Sequence, residues 1–136
     1  MAVVKELLRA ESDGSVSFGD YTLAVKSKVE DFKHNGDILK VKTFNEITRL
    51  EKNGMFLYES VPGTAVTNFE ETEEGISFIV EGAEDAQITV GLAEDTEYEV
   101  LVAGQDAGHM KTNLGGKLSL SVELKDAGEI EVKIRK

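Results

Sequence analysis

Apolar and polar residues alternate along the C-terminal part of the chain, residues 97–136. Leucine or valine occupies the even positions of residues 118–124, and serine or glutamate occupies the odd positions. The same alternation returns in residues 130–134. A period of two is typical of a β-strand with one buried and one solvent-exposed face. This part therefore predicts a meander of antiparallel strands that needs a second apolar layer to cover it.

Seven strand-like segments follow the only proline of the chain, at a spacing of about ten to twelve residues. They are residues 65–70, 76–80, 87–92, 97–103, 109–112, 117–125 and 129–135. Short strands at this spacing are typical of a small β-sandwich with an immunoglobulin-like or fibronectin-like layout. The cysteine pair and tryptophan of true immunoglobulin domains are absent, so this likeness of layout transfers no function.

Three dipeptides in the first half have the composition of tight hairpin turns: Asp13-Gly14, Asn35-Gly36 and Asn53-Gly54. Asparagine, aspartate and glycine tolerate the positive φ angles of a two-residue type I′ turn. The first half is therefore predicted to be a series of antiparallel hairpins. Two-residue closure predicts these cross-strand neighbours: Arg9 with Phe18, Phe32 with Leu39, Asp31 with Lys40, Leu50 with Leu57, and Arg49 with Tyr58.

Some stretches of the first half are less regular. A bulge at Gly19-Asp20 would let the second strand continue through residues 21–25. Residues 3–9 fit either a short strand or one helical turn, and the spacing of apolar residues in 43–50 also allows a helical turn. The whole chain is nevertheless predicted to be all-β.

Pro62-Gly63 is the best candidate for a domain boundary. It divides the chain into a β-hairpin domain, residues 1–62, and a seven-stranded β-sandwich domain, residues 63–136. Residues 55–58 carry large side chains on both faces of one strand, so either the other domain or a second copy must cover one face. We expect a homo-oligomer, because a closed symmetric contact would also hide strand edges.

Charge limits the range of partners. Twenty-six acidic and fifteen basic residues give a net charge of −11 at pH 7. A chain of this charge repels polyanions at long range, so we expect no nucleic-acid partner and no membrane partner. The absence of cysteine fits a reducing compartment such as the cytoplasm. Residues 1–10 lack the apolar core of a signal peptide, and no apolar run approaches the roughly 18 residues of a membrane span.

No residue is predicted to have a catalytic, cofactor-binding or metal-binding role, and no cofactor is expected. His34 and His109 lie beside predicted turns without a nearby histidine, as solvent-exposed histidines commonly do. Carboxylates cluster at three predicted strand ends: Glu70, Glu71, Glu73 and Glu74; Glu81, Glu84 and Asp85; Glu94, Asp95 and Glu97. We interpret them as solvated turn charges, with calcium ligands as the alternative. A carboxylate pair for glycoside hydrolysis is also available among them.

Two stretches carry a resemblance to a known family. The sequences ESVPGTAV, residues 59–66, and MKTNLGGKLSLSVEL, residues 110–124, are similar to those of a small, poorly characterised all-β family of anaerobic Gram-positive bacteria. Members of that family sometimes carry the label "endosialidase", so the resemblance implies a bacterial protein connected with carbohydrate. Sialidases of the usual type bind their anionic sugar with an arginine cluster, whereas Arg9, Arg49 and Arg135 are far apart in this sequence. No site residue is carried over from the family.

Two hypotheses for the function remain. Regular strands without a convergent polar site favour a non-enzymatic structural or protein-interaction module with an unidentified protein partner. Its edge strands would engage that partner by strand addition, or a second copy by self-association. The alternative is a carbohydrate-binding or carbohydrate-processing accessory protein, which the sandwich layout and the family label suggest.

Overall fold

The computed structural model describes residues 3–136, so Met1 and Ala2 lie outside the described part of the chain. This part contains thirteen β-strands and no helix. The strands are β1 (Leu8–Ala10), β2 (Val16–Phe18), β3 (Ser27–His34), β4 (Asp37–Thr43), β5 (Thr48–Lys52), β6 (Met55–Val61), β7 (Ala65–Glu71), β8 (Gly75–Glu81), β9 (Ala86–Gly91), β10 (Glu97–Val102), β11 (Gln105–Lys111), β12 (Lys117–Val122) and β13 (Ile130–Arg135).

The strands form two antiparallel sheets that pack face to face. Sheet A has seven strands in the order β1-β2-β7-β8-β13-β10-β11, and sheet B has six in the order β12-β9-β6-β5-β4-β3. The prediction of an all-β chain with a sandwich layout is therefore confirmed. All seven strands predicted after Pro62 are present, and the sandwich is larger than expected because the hairpins of the first half extend both sheets.

Both halves of the chain contribute strands to both sheets. In sheet A, β2 from the first half pairs with β7 from the second half. In sheet B, β6 from the first half pairs with β9 from the second half. The buried apolar side chains form a single cluster that includes residues from both halves. Residues 1–62 and residues 63–136 therefore share both sheets and one core.

The centre of this core is a group of four aromatic rings. Tyr58 of sheet B packs edge-on against three phenylalanines of sheet A, with centroid distances of 5.2 Å to Phe18, 6.1 Å to Phe69 and 5.5 Å to Phe78. Edge-to-face contacts at these distances add to the free energy gained by burial. This group holds the two sheets together across the boundary predicted at Pro62.

The alternation predicted near the C-terminus is confirmed. Leu118, Leu120 and Val122 of β12 are buried, whereas Lys117, Ser119 and Ser121 are exposed. Strand β12 pairs with β9 in one unbroken register over six residues. Its apolar face therefore closes one side of the core, and its polar face belongs to the outer surface of sheet B.

The first hairpin is not closed by a two-residue turn. Arg9 lies opposite Ser17, and not opposite Phe18 as predicted. A type I′ turn needs a positive φ at both central residues, but here Gly14 has φ 91° and Asp13 does not have a positive φ. The Asp13 carboxylate instead accepts a hydrogen bond from the backbone N–H of Ser15 at 2.9 Å, which favours a three-residue loop.

The other two hairpins have the predicted turns, and a bulge then changes each register. Asn35-Gly36 and Asn53-Gly54 have positive φ at both residues, and Phe32 lies opposite Leu39 as predicted. Asp31 is not paired with Lys40 in the ladder, because β3 bulges between Val29 and Phe32.

In the third hairpin, a bulge at Leu57 shifts Tyr58 opposite Leu50, and Arg49 opposite Glu59. The predicted pairs of Leu50 with Leu57 and Arg49 with Tyr58 are therefore wrong. The extra residue lets both Leu57 and Tyr58 point into the core, whereas Met55 is 73% exposed. One strand can thus bury two consecutive large residues without a second apolar layer on its outer face.

The irregular stretches also differ from some expectations. Residues 21–25 do not continue β2 as a strand, and turns and bends connect β2 of sheet A to β3 of sheet B there. Residues 43–50 contain no helix, since β4 ends at Thr43 and β5 begins at Thr48. Near the N-terminus, β1 includes only Leu8 and Arg9 of residues 3–9, and a turn precedes it, in which the backbone N–H of Leu7 donates to the carbonyl oxygen of Val4 at 2.9 Å.

Candidate interaction surface

Each sheet has two edge strands: β1 and β11 in sheet A, and β12 and β3 in sheet B. Three of these four strands have features that hinder pairing with a further strand. Strand β1 has only three residues. Strand β3 bulges at Asp31, where φ is 57°, and strand β11 bulges at Gly108, where φ is 97°. Short length and bulges protect natural sheets against edge-to-edge association.

Strand β12 is the fourth edge strand, and it is regular over its length. All six of its residues pair with β9, and no other described strand pairs with its outer edge. Two hydrogen bonds, Thr89 Oγ1 to Ser119 Oγ and Ser121 Oγ to Gln87 Oε1, both 2.8 Å, hold its outer side chains against β9. At the start of this edge, the backbone N–H of Lys117 donates to the side-chain oxygen of Asn113 at 3.0 Å, and its carbonyl oxygen accepts from the backbone N–H of Asn113 at 3.1 Å. The edge open to a further strand therefore runs from Leu118 to Val122.

The outer face of sheet B carries a groove of about 220 Å³ at the other end of the sheet. We call it the cationic groove, and its lining residues are Lys26, Lys28, Lys40, Lys42, Arg49 and Glu51. In the ladder, Lys42 lies opposite Lys28 on one side and Arg49 on the other. Like charges directly opposite each other destabilise a sheet, so this row is unfavourable by itself.

Phe56 covers the part of the outer face between the cationic groove and β12. The guanidinium of Arg49 lies 5.6 Å from its ring centroid, and the ammonium of Lys117 lies 4.7 Å from it. Both are within the range of cation–π attraction. The outward-facing aromatic residue of the run at residues 55–58 is therefore covered by side chains of the same chain.

A cleft of about 370 Å³ opens at one end of the sandwich, and we call it the end cleft. Its floor consists of buried apolar side chains: Val16, Leu39, Leu50, Leu57 and Phe69. Two contacts between the sheets border it, from His34 Nε2 to the carbonyl oxygen of Gly14 at 2.9 Å and from Lys52 Nζ to Glu71 Oε1 at 2.8 Å. Carboxylates dominate the remaining rim: Asp13, Asp37 and Glu70.

Buried hydroxyl groups form a network on the side of the aromatic cluster that faces away from the end cleft. The Thr64 hydroxyl hydrogen-bonds to the hydroxyls of Tyr58 and Ser60, each at 2.8 Å. Thr48 donates to the carbonyl oxygen of Thr64 at 2.9 Å. Burial raises the pKa of Tyr58 above its ordinary value, so its hydroxyl stays protonated. These groups satisfy one another, which favours a structural role for them.

A smaller polar cluster lies between β1 and β2. Glu11 accepts hydrogen bonds from the Ser17 hydroxyl and from Arg9, whose Nη2 is 2.9 Å from Glu11 Oε2. These contacts, the Ser17 hydroxyl first, lower the pKa of Glu11 below its ordinary value. The cluster joins two strands of sheet A.

The three carboxylate clusters lie at strand ends, as the sequence predicts. Among residues 3–136, no group of three or more histidine, aspartate or glutamate side chains is arranged to hold a metal ion. Several members have structural contacts instead, among them Glu71 with Lys52. Asp85 accepts from the backbone N–H of Leu124 at 3.0 Å, and Asp95 lies 3.2 Å from Lys111 Nζ.

The three arginines lie on different strands. Arg9 is on β1 and Arg135 is on β13, both in sheet A, whereas Arg49 is on β5 of sheet B. Arg9 and Arg135 each pair with a carboxylate, Glu11 and Glu99, at 2.9 Å. The described structure therefore does not assemble the arginine cluster that a sialidase of the usual type uses.

The cationic groove was not predicted from the sequence. Its signal was present as lysine at the even positions 26, 28, 40 and 42, on both strands of the Asn35-Gly36 hairpin. In a hairpin closed by a two-residue turn, each even position lies opposite an odd position, so the even positions of the two strands lie on opposite faces of the sheet. A bulge in one strand shifts the register by one residue and places them on the same face. The bulge at Asp31 supplies that change, and it could not be read from the turn alone.

Comparisons with known proteins do not identify this chain. No protein-family model, no curated protein and no solved structure matches it. Within residues 3–136 there is also no helix long and apolar enough to cross a membrane.

Proposed function

We propose that this protein is a non-enzymatic structural or protein-interaction module that joins chains by strand addition at β12. The observation that carries the proposal is the regular edge of β12, which none of the other described strands covers. An unpaired edge presents backbone N–H and C=O groups to an extended segment of another chain. Pairing with β9 already holds β12 extended, so little conformational entropy is lost when a partner strand binds.

A second copy of the chain offers local charge complementarity at this edge, although both copies carry a net charge of −11. In an antiparallel pair of two β12 strands centred on Leu120, Ser119 lies opposite Ser121. At the ends of the contact, the side chain of Lys117 of each copy lies opposite that of Glu123, the residue that follows β12 in the other copy. Opposite charges at such positions stabilise a strand pair by roughly 0.2–1 kcal/mol each. The resulting two-fold dimer continues sheet B from one copy into the next.

We expect this dimer to be weak, because one strand of six residues makes a smaller contact than a standard protein interface. Sedimentation velocity over a range of protein concentrations should therefore show a monomer–dimer equilibrium for the natural sequence. Lys117→Glu and Glu123→Lys each place like charges opposite each other at two symmetric positions. Each single variant should weaken dimerisation by about tenfold at low salt.

The double variant, Lys117→Glu with Glu123→Lys, is the matched control, because it restores opposite charges with their order reversed. It should dimerise nearly as well as the natural sequence, even though it loses the contact between Lys117 and Phe56. A 14.8 kDa monomer at every concentration would contradict self-association through β12. Equal dimerisation of all variants would assign the dimer to another surface.

A carbohydrate-binding or carbohydrate-processing accessory role is the second candidate. The observation that favours it is the end cleft, where an apolar floor is surrounded by carboxylates that can accept hydrogen bonds from sugar hydroxyls. A glycan array combined with a sialidase assay separates the two functions. Saturable glycan binding that is lost in Glu70→Gln, or hydrolysis above a no-protein control, would favour the second candidate over the first.

We further propose that the protein is bacterial and acts in the cytoplasm. The absence of cysteine agrees with that compartment, because disulfides are rare in a reducing environment. Fractionation of the source cells, followed by detection with a specific antibody, tests the cytoplasmic location.

A further inference from the structure

The cationic groove gathers five basic side chains on a chain whose net charge is −11. Its central residue, Lys42, lies between Lys28 and Arg49 in one row across β3, β4 and β5. Directly opposed like charges lower the stability of a sheet when no anion lies between them. The row therefore reduces folding stability in the free protein, and a bound counter-anion would recover that loss.

Neighbouring carboxylates compensate this charge only in part. Arg49 lies 3.4 Å from Glu51 and 3.8 Å from Glu59, and Glu30 lies 3.5 Å from Lys28 and 3.8 Å from Lys40. Glu30 and the two lysines are about half exposed, so their contacts contribute little free energy. Glu51 and Glu59 are less exposed and neutralise part of the Arg49 charge.

Two lysines of the groove have no ion pair, and one arginine nitrogen has no hydrogen bond. Among residues 3–136, Lys26 and Lys42 form no ion pair. The Nε atom of Arg49 is buried and has no hydrogen-bond acceptor with suitable geometry, although Glu51 is close to it. A buried donor without an acceptor is unfavourable, and the two unpaired lysines leave positive charge in the groove that an anion could neutralise.

We propose that the cationic groove binds a compact oxyanion with two or more negative charges, of the diphosphate or polyphosphate class. Lys28, Lys42 and Arg49 span about 10 Å at cross-strand spacing, which suits a short phosphate chain. Arginine can bind two phosphate oxygens at once, and the lysines supply mobile point charges. A longer polyanion would meet Glu59, which follows Arg49 in the same row, and the acidic surface beyond it.

This binding site is separate from the edge proposed for strand addition. Strands β3 and β12 are the opposite edges of sheet B, so an anion in the cationic groove leaves the outer edge of β12 accessible. Failure of one proposal therefore does not affect the other.

Isothermal titration calorimetry with sodium tripolyphosphate tests the site, with sodium chloride of equal ionic strength as the reference. Saturable binding is expected for the natural sequence, and Lys42→Gln should weaken it by about tenfold. Because Lys42 has no ion pair and faces two cations, its removal should not lower the melting temperature of the free protein. Loss of binding in a variant that melts no lower would assign the effect to the site and not to unfolding.

Lys133→Gln is the matched control, since it makes the same change of net charge on an exposed position of sheet A. It should bind tripolyphosphate within about twofold of the natural sequence. Equal weakening in both variants, or binding no greater than the sodium chloride reference, would overturn the proposal. A parallel titration with adenosine triphosphate distinguishes the source, because tighter binding of the nucleotide would identify a nucleotide phosphate chain, and equal binding a free one.

Discussion

The carboxylate of Glu11 accepts hydrogen bonds from the Ser17 hydroxyl and the Arg9 guanidinium, which lower its pKa below the ordinary 4.5. A carboxylate with a depressed pKa stabilises the folded state above its unfolded pKa, and this contribution is lost as the pH falls through the folded pKa. We therefore expect the free energy of unfolding to fall as the pH drops below about 5, and Glu11→Gln to make that fall shallower. Urea unfolding at several pH values measures both.

The hydrogen bond from the Ser17 hydroxyl is the first cause of this lowered pKa, and the hydrogen bond and charge of Arg9 add to it, so Ser17→Ala and Arg9→Gln should each flatten the acid dependence. Ser17 also accepts a hydrogen bond from the backbone N–H of Asn68 at 3.1 Å, so its removal lowers stability at every pH. The slope with pH, and not the absolute stability, is therefore the quantity to compare. An identical slope in the natural sequence and in Glu11→Gln would contradict this account.

At the scale of elements, the connection after β6 packs tightly on the connection between β4 and β5. The backbone N–H of Gly63 donates to the carbonyl oxygen of Asn45 at 3.0 Å. A Cβ atom at Gly63 would lie 2.0 Å from the carbonyl oxygen of Phe44, so one of the two connections would have to move. We expect Gly63→Ala to lower the free energy of unfolding by about 1–3 kcal/mol, measured by urea unfolding.

Gly115→Ala is the control for this loss. Its nearest neighbour would be a side-chain oxygen of Asn113 at 3.3 Å, a distance that requires a shift of only a few tenths of an ångström. This variant should remain within about 0.5 kcal/mol of the natural sequence. Similar losses in both variants would mean that the contact with Phe44 does not hold the two connections together.

The elements that the sequence predicted well depend on local information. Asn35-Gly36 and Asn53-Gly54 adopt positive φ because each dipeptide tolerates that geometry itself. The bulges at Asp31 and Leu57 were not predicted, because a bulge depends on what the neighbouring strand and the core require. For the same reason the cationic groove was not predicted, because the bulge at Asp31 is what places the lysines of β3 and β4 on one face.

The pairing of strands that are distant in the sequence could not be predicted from the alternation of apolar and polar residues. The alternation in β6 and β9 predicts two half-buried strands but does not say that they are neighbours. Such pairings depend on how all the apolar faces can be covered at once, which no single segment specifies. Both β2 with β7 and β6 with β9 cross the boundary predicted at Pro62.

These crossings lead us to expect that neither half folds alone. Residues 1–62 would keep the hairpins of sheet B but lose the phenylalanines at 69 and 78, leaving Tyr58 without two of its three aromatic neighbours. Residues 63–136 would keep β7, β8, β13, β10 and β11 of sheet A, but their inner face would be covered only by β9 and β12. Each half would then expose much of one apolar face to water.

The test is to produce residues 1–62 and residues 63–136 as separate chains and to heat each alone and in an equimolar mixture. Alone, each should lack a cooperative transition in circular dichroism, because its apolar face has no covering layer. Mixing should restore cooperative unfolding, since strand pairing and the aromatic contacts of Tyr58 need no covalent link between the halves. Cooperative melting of residues 63–136 alone would instead establish the predicted domain division, and would mean that the first half adds strands to a sandwich that is already stable.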